Sequence, residues 1–269
     1  MTTTPSATSA LQPMPELAPL LKQLRLSGFL ESLPTRNREA VHHKLSYTEF
    51  LALLVQDEVA RRDHKKFNMR VRRAGFRSQK TFEDFDWSFN GHIDQAQIQD
   101  LATCRFIDEK VAVLIAGPCG TGKSHIAQAI GHQAVRQGHD VLFTTQTRLL
   151  GQLQAARAMK THDRRLQALV RVPLLIIDDF ALKPLQPPQD EDFHELVSER
   201  YERAATVITS NLAMEEWGAA FPNRLLGSAT IDRLRHAAYC VVLDGDSYRA
   251  PRNPSQTPNF TLEKEGENT

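Results

Sequence analysis

A chain of 269 residues, 41% hydrophobic and 24% charged, carries enough apolar material for one full core and a smaller second one. Its uninterrupted apolar runs reach only about six residues, and its first nineteen residues hold neither Lys nor Arg nor a continuous apolar stretch, which excludes a membrane-spanning helix and a secretory signal and predicts a cytoplasmic protein. The net charge of +1 conceals an asymmetry, because Lys22 to Lys80 contains fourteen Lys and Arg against six Asp and Glu, a local surplus of eight that leaves −7 for all other residues. A basic part is joined to an acidic one.

Residues 1–19, rich in Thr, Ser and Pro, read as a disordered leader. From Leu20 the apolar positions Leu20, Leu21, Leu24, Leu26, Phe29 and Leu33 predict a short amphipathic helix that breaks at Gly28 or Pro34. A second helix starts at Ser46, which forms a capping box with Glu49 while Leu45 and Phe50 supply a hydrophobic staple. Its stripe of Phe50, Leu51, Leu54, Val55 and Val59 is expected to be buried. The same helix then turns basic, with Arg61, Arg62, Lys65, Lys66, Arg70, Arg72, Arg73 and Arg77 opposed by Asp63 alone. A solvated face normally interleaves acids at helical spacing; their scarcity here points to phosphates of a nucleic acid or to an acidic protein surface, without base specificity. Residues 20–80 are thus expected to form a basic helical domain.

An aromatic linker, Phe82-Glu83-Asp84-Phe85-Asp86-Trp87-Ser88-Phe89, follows; it suits either packing on a nucleobase or anchoring the two parts together. A helix is expected from Asp94 to Leu101. The run Val111 to Ala116 then reads as a buried strand leading into Gly117, Pro118, Cys119, Gly120, Thr121, Gly122, Lys123 and Ser124, a complete G-x-x-x-x-G-K-S/T phosphate-binding loop, and Lys123 to Gln137 reads as the helix after it. In such a loop backbone N–H groups and the helix N-terminus face the phosphates, Lys123 reaches the β/γ-phosphates, and Ser124 offers a hydroxyl to Mg²⁺. Cys104, Cys119 and Cys240, odd in number and far apart, read as free thiols.

Beyond a strand at Asp140 to Thr145, a helical stretch from Gln146 to Arg171 carries a second basic surface that includes Arg148, Arg157, Lys160, Arg164, Arg165 and Arg171. The strand Pro173 to Asp179 ends in two carboxylates, and a parallel strand delivers its last residues to the sheet edge where the loop also sits. That places Asp178 to orient the Mg²⁺ shell and Asp179 to act as general base toward water. A helix from Asp190 to Arg203 precedes the strand Ala205 to Asn211, whose terminal Asn211 suits a contact to the γ-phosphate or the lytic water. A helix near Ile231 to His236, a strand Tyr239 to Leu243 and the sequence Asp246-Ser247-Tyr248-Arg249 precede a tail, residues 250–269, expected to be disordered.

The phosphate loop, Leu-Ile-Ile-Asp-Asp, Thr-Ser-Asn, Ile-Asp-Arg-Leu and Asp-Ser-Tyr-Arg together resemble the IstB/DnaC branch of the AAA+ ATPases, and the likeness covers about residues 20 to 249. Leu24-Arg25-Leu26-Ser27-Gly28-Phe29, Leu45 to Leu51, Ala60-Arg61-Arg62 and Lys80 to Asp86 are similar to the IstB type, the helper ATPase of bacterial insertion sequences. The resemblance implies an α/β fold in which an AAA+ core with a parallel five-stranded sheet, residues 81–249, follows a small all-α basic domain. It further implies ATP and Mg²⁺ as cofactors, ATP sites between subunits of a ring or helical homo-oligomer on duplex DNA, and a partner transposase. By residue match Asn211 is the first sensor, Arg233 the arginine finger and Arg249 the second sensor. Asp179 departs from the Glu of many relatives, a shorter side chain that implies slower hydrolysis. A replicative helicase loader of the same branch, a small-molecule P-loop kinase and a nucleotide-switched scaffold are the other readings; the absence of N-K-x-D argues against a GTPase.

Overall fold

The computed structural model describes residues 17–89, 93–245 and 247–248. Its N-terminal part is α1 (Leu17–Gln23), α2 (Ser27–His43) and α3 (Tyr47–Ala74). The one short helix expected from Leu20 is therefore two, and the turn between them falls at Arg25, whose φ is 57°, and at Leu26. Gly28 and Pro34 both lie inside α2, where Pro34 removes one donor from the hydrogen-bond ladder without ending the helix. The helix that begins at Leu17 also takes in the last three residues of the expected leader; residues 1–16 and the tail lie outside the described residues.

Gly28 serves packing rather than a break. A Cβ there would stand 2.7 Å from Glu58 Oε2 and 2.8 Å from Glu58 Cα, so its absence lets α2 and α3 cross closely. At that crossing the Glu58 carboxylate, 4% exposed, accepts the Gly28 N–H at 2.6 Å, serving an α2 N-terminus to which Leu26 offers no side-chain cap. Burial alone raises the Glu58 pKa; the Arg62 guanidinium at 2.7 Å and the amides of Gly28 and Phe29 outweigh it, and the net shift is downward. Arg36 braces the same pair of helices with two 2.8 Å bonds to Asp57.

The capping box at Ser46 is present as expected, and α3 runs unbroken to Gly75, where φ is 70°. Its buried face differs from expectation. Leu54 is buried, but Leu51, Val55 and Val59 are 54%, 46% and 53% exposed, because α2 docks on the adjoining face that carries Leu54, Asp57 and Glu58. The distal half of α3 packs on the α/β core through Phe67, Val71 and Ala74.

That core comprises α4 (Gln95–Ala102), α5 (Arg105–Glu109), β1 (Ala112–Ala116), α6 (Lys123–Arg136), β2 (Val141–Thr145), α7 (Gln146–Ala158), α8 (His162–Val170), β3 (Leu174–Phe180), α9 (Gln189–Arg200), β4 (Ala205–Ser210), a 3₁₀ helix (Met214–Ala220), α10 (Arg224–Arg235) and β5 (Tyr239–Val242). All five strands are parallel, in the order β2-β3-β4-β1-β5. Helices cover both faces, so the central strands are apolar throughout and their alternation splits the core in two. Val113, Ile115 and Ile176 face one cluster with Ile126 and Ile130; Leu114, Leu175 and Ile177 face the other with Phe180, Phe193 and Trp217.

Several elements depart from the sequence reading. The stretch Gln146 to Arg171 is divided between α7 and α8 at Lys160, whose φ is 55°. α5 and the 3₁₀ helix are too short to show a helical period. β3 continues past both carboxylates to the buried Phe180. At the amino end of β3 and β4, buried Arg200 donates to the carbonyls of Leu169 and Val172 at 2.8 Å each and to Thr206 Oγ1 at 2.9 Å, and burial lowers its pKa to about 9. No helix among the described residues is long and apolar enough to cross a membrane.

Because the folded-state pKa of Glu58 lies below its ordinary value of 4.5, its contribution is present above pH 4.5 and is lost as pH falls through the lowered value. Glu58→Gln is expected to lower the melting temperature near neutral pH, with the gap to wild type closing as pH drops below 4.5; calorimetry showing a pH-independent gap would contradict this.

Candidate nucleotide-binding site

The loop Gly117 to Ser124 joins the carboxyl end of β1 to α6. Gly122, with φ of 100°, stands at the N-cap and no side chain caps the helix, the arrangement of a helix N-terminus that receives an anion. Thr121 Oγ1 and Lys123 Nζ both donate to the Pro118 carbonyl, at 3.0 and 2.6 Å, which shapes the loop from within. A strap after β5 supports it from outside: Leu243 N–H donates to Ala116 O at 2.8 Å and Tyr248 N–H to Gly120 O at 3.1 Å. A Cβ at Gly117 would lie 2.0 Å from Leu243 O, so this close approach requires glycine.

Asp178 stands beside the loop and is fully buried. Its Oδ1 accepts from Ser124 Oγ at 2.8 Å and from Thr209 Oγ1 at 2.5 Å; its Oδ2 is buried without a hydrogen-bond partner. Thr209 Oγ1 also accepts the Asp179 N–H at 3.2 Å. Between Ile177 and Phe180 the register to β4 shifts, and Asp179 takes φ of 58°, a left-handed conformation that Asp adopts more readily than most residues. The irregularity brings Asp179 into the cleft wall together with Asn211. Arg77, just past α3, completes the charge pattern: its Nη1 is 3.8 Å from Asp178 Oδ2 and its Nη2 is 3.6 Å from Asp179 Oδ2.

The cleft, about 260 Å³, is lined by Cys119 to His125 of the loop and helix, by Asp179 and Asn211 at the strand ends, and by Lys80, Asp84, Phe85, Asp86, Phe89 and Tyr248. Phe82 and Trp87 anchor the aromatic linker on the core, whereas Phe85 and Phe89 also wall the cleft, with Phe89 set edge-on to Tyr248 at 4.8 Å. Burial lowers the His125 pKa and favours its neutral form, although its ring nitrogen contacts Thr81 O at 2.8 Å.

Chemically this is a phosphate cradle beside hard oxygen donors. Among the described residues no group of three or more His, Cys, Asp or Glu could enclose a metal ion. The Ser124 hydroxyl and Asp178 Oδ2, which accepts no hydrogen bond, fit Mg²⁺, which takes few protein ligands and fills its octahedron with phosphate oxygens and water.

Arg233 lies elsewhere. It is half-buried on α10, its Nη1 donates to Ala229 O at 3.0 Å, and it lines a hollow with Glu109, Val111, Ala112 and Tyr201, near the amino end of β1 and so away from its own loop. Arg249 lies outside the described residues. The basic surfaces are less free of acids than local spacing suggests. Arg61 pairs with Glu31, Arg62 with Glu58, Lys66 with Asp63, Arg70 with Asp140 and Arg157 with buried Asp192, while Arg165 donates to Gln152. Lys65, Arg72, Arg73, Lys160 and Arg164 are exposed. Thr209, Gln128 and the Arg77 contact are the participants that sequence reading missed; the Thr-Ser-Asn end of β4 was the one available signal, for Thr209.

The loop after β1, the acids on β3 and the placement of β4 between those strands define a P-loop nucleotide-binding protein of the AAA+ kind. The fold is similar to that of DnaI (TM-score 0.54, 20% identity, 61% of this chain and 91% of that one) and of AMPPCP-bound DnaA from Aquifex aeolicus (TM-score 0.54, 18% identity, 64% and 52%). The chain belongs to the IstB-like ATP binding protein family, whose profile matches residues 19–256. It is 36% identical to an insertion-sequence ATP-binding protein of Mycobacterium tuberculosis over 90% of this chain and 97% of the relative. It is 34% identical to the ATP-binding protein of insertion sequence IS21 from Pseudomonas aeruginosa, over 88% and 89%.

Thr209→Val removes a buried donor to Asp178 and strands the Asp179 N–H, at a cost of about 1–3 kcal/mol. The expected result is a lower denaturant midpoint together with weaker Mg²⁺-dependent binding of a fluorescent ATP analogue; wild-type values for both would contradict the assignment.

Proposed function

We propose that this chain is a cytoplasmic ATPase that assembles on duplex DNA and assists a partner transposase. The observation that carries the catalytic part is the Ser124–Asp178–Thr209 constellation beside an uncapped loop helix. In this reading Lys123 exchanges the Pro118 carbonyl for the β/γ-phosphates, and Ser124 with Asp178 Oδ2 holds Mg²⁺. The ion supplies charge neutralisation at the phosphates when bound. Asp179, turned into the cleft by the strand irregularity, accepts a proton from the attacking water, and Asn211 orients that water or the γ-phosphate.

Arg233 faces away from its own loop, which suits a residue that completes a neighbouring subunit's site and makes hydrolysis depend on assembly. Arg249 takes the second-sensor role implied by the family. Lys65, Arg72 and Arg73 on α3 lead the DNA contacts, with Arg61, Lys66 and Arg70 able to exchange exposed acids for phosphates and Arg62 adding its charge while paired with buried Glu58; Arg157, Lys160, Arg164 and Arg165 form the second surface. The insertion-sequence relatives favour transposition over helicase loading.

Sedimentation velocity with duplex DNA and a non-hydrolysable ATP analogue tests the reading. Wild type is expected to form large complexes that need both ligands. Lys123→Ala should abolish them, and Arg72→Ala/Arg73→Ala should weaken them on every DNA sequence with a salt slope shallower by about two. A chain that stays monomeric under all conditions would overturn the assembly mechanism.

A further inference from the structure

Arg77 belongs by sequence to the basic run, yet the fold directs it to the nucleotide site. Its neighbours are seated on the loop helix. Phe76 stacks on His132 with centroids 4.0 Å apart, in space that a Cβ on Gly131 would contest at 2.7 Å. On the other side the Ser78 N–H donates to Gln128 Oε1 at 3.3 Å, and Gln128 Nε2 donates in turn to the Ser124 carbonyl at 3.1 Å. Gln128 is buried, so this tie between linker and loop is a built one. Arg77 hangs between these two anchors with its guanidinium over the Asp178/Asp179 pair.

The contact is loose. At 3.6 and 3.8 Å the guanidinium lies beyond hydrogen-bond length from either carboxylate, and its side chain is 57% exposed, so it meets the pair as a charge and not as a hydrogen-bond donor. Its partner on Asp178 is Oδ2, the buried oxygen without a hydrogen bond and the one that a divalent cation beside Ser124 would take. A guanidinium and a divalent cation cannot both sit on that oxygen without strong mutual repulsion.

We propose that Arg77 is a positioning residue of the nucleotide site, a counter-charge that neutralises the Asp178/Asp179 pair before the cation enters and must swing away when it does. This deepens the ATP and Mg²⁺ reading above and rests on it. Arg77 follows Gly75, the C-cap of α3, by two residues, and α3 carries Arg70, Arg72 and Arg73. Occupancy of the cation site is thereby coupled to the basic helix, and by reciprocity phosphates that draw Arg77 outward favour entry of the cation.

The test is binding of a fluorescently labelled, non-hydrolysable ATP analogue to the full chain, measured in EDTA and across a Mg²⁺ titration, for wild type, Arg77→Gln and Arg77→Lys. Arg77→Gln is expected to reach wild-type affinity at saturating Mg²⁺ but with a half-saturating Mg²⁺ concentration lower by at least about fivefold, and Arg77→Lys to behave as wild type. In EDTA, Arg77→Gln should bind the analogue more weakly, because the carboxylates then repel its phosphates with one compensating charge fewer. An unmoved or raised Mg²⁺ midpoint, or weaker binding at saturating Mg²⁺, would overturn the proposal while leaving the nucleotide reading intact. Wild type that binds no analogue at any Mg²⁺ concentration would overturn that reading and the proposal with it.

Discussion

The Asp178 carboxyl group is fully buried at the carboxyl edge of the sheet, and only one of its two oxygens is satisfied by hydroxyl donors. Burying such a group is costly unless hydrogen bonds or charge compensate, and the surrounding elements are arranged to provide this. Ser124 arrives from the loop after β1, Thr209 from the end of β4, and Arg77 from beyond the end of α3. Because β4 lies between β1 and β3, one threonine can reach the acid on β3 while the loop of β1 presents Ser124 to the same oxygen. Sheet order thus becomes site geometry, and the oxygen left over is where positive charge belongs.

The helical part is tied to this site by covalent continuity and by packing. α3 is a single helix whose first half is clamped to α2 by the Gly28–Glu58 crossing and the Arg36–Asp57 pair, and whose second half lies on the core. A helix that carries exposed cations at Arg72 and Arg73 and ends two residues short of Arg77 gives a physical route between an exposed basic surface and the nucleotide loop. No extended pathway is needed, since Phe76, Ser78 and Gln128 make the connection along Ser124 to His132, the first turns of α6.

What could be read from the sequence was what is encoded locally. The phosphate loop, the capping box at Ser46 and the apolar runs of β1, β3 and β4 announce themselves within a few residues, and the parallel five-stranded core was expected and found. What escaped depends on partners far along the chain. The face of α3 that is buried was misjudged because Glu58 is drawn inward by the N-terminus of α2, which no period within α3 records. The basic run looked unopposed because Glu31 and Asp140 come from other elements, and Arg77 looked like one more phosphate contact because its carboxylates lie about a hundred positions away in the chain. Thr209 stands in Thr-Ser-Asn, which marks the strand end but not its role: a threonine within a β-branched strand looks like ordinary core until the neighbouring strand places an acid opposite it.

Manganese substituted for magnesium makes the cation visible, and electron paramagnetic resonance of the chain with Mn²⁺ and a non-hydrolysable ATP analogue tests the assignment of Asp178 most directly. One protein-bound Mn²⁺ per chain is expected, which requires the nucleotide, is weakened by Ser124→Ala and is lost in Asp178→Asn even though that variant still folds. An unchanged Mn²⁺ signal in folded Asp178→Asn would contradict it.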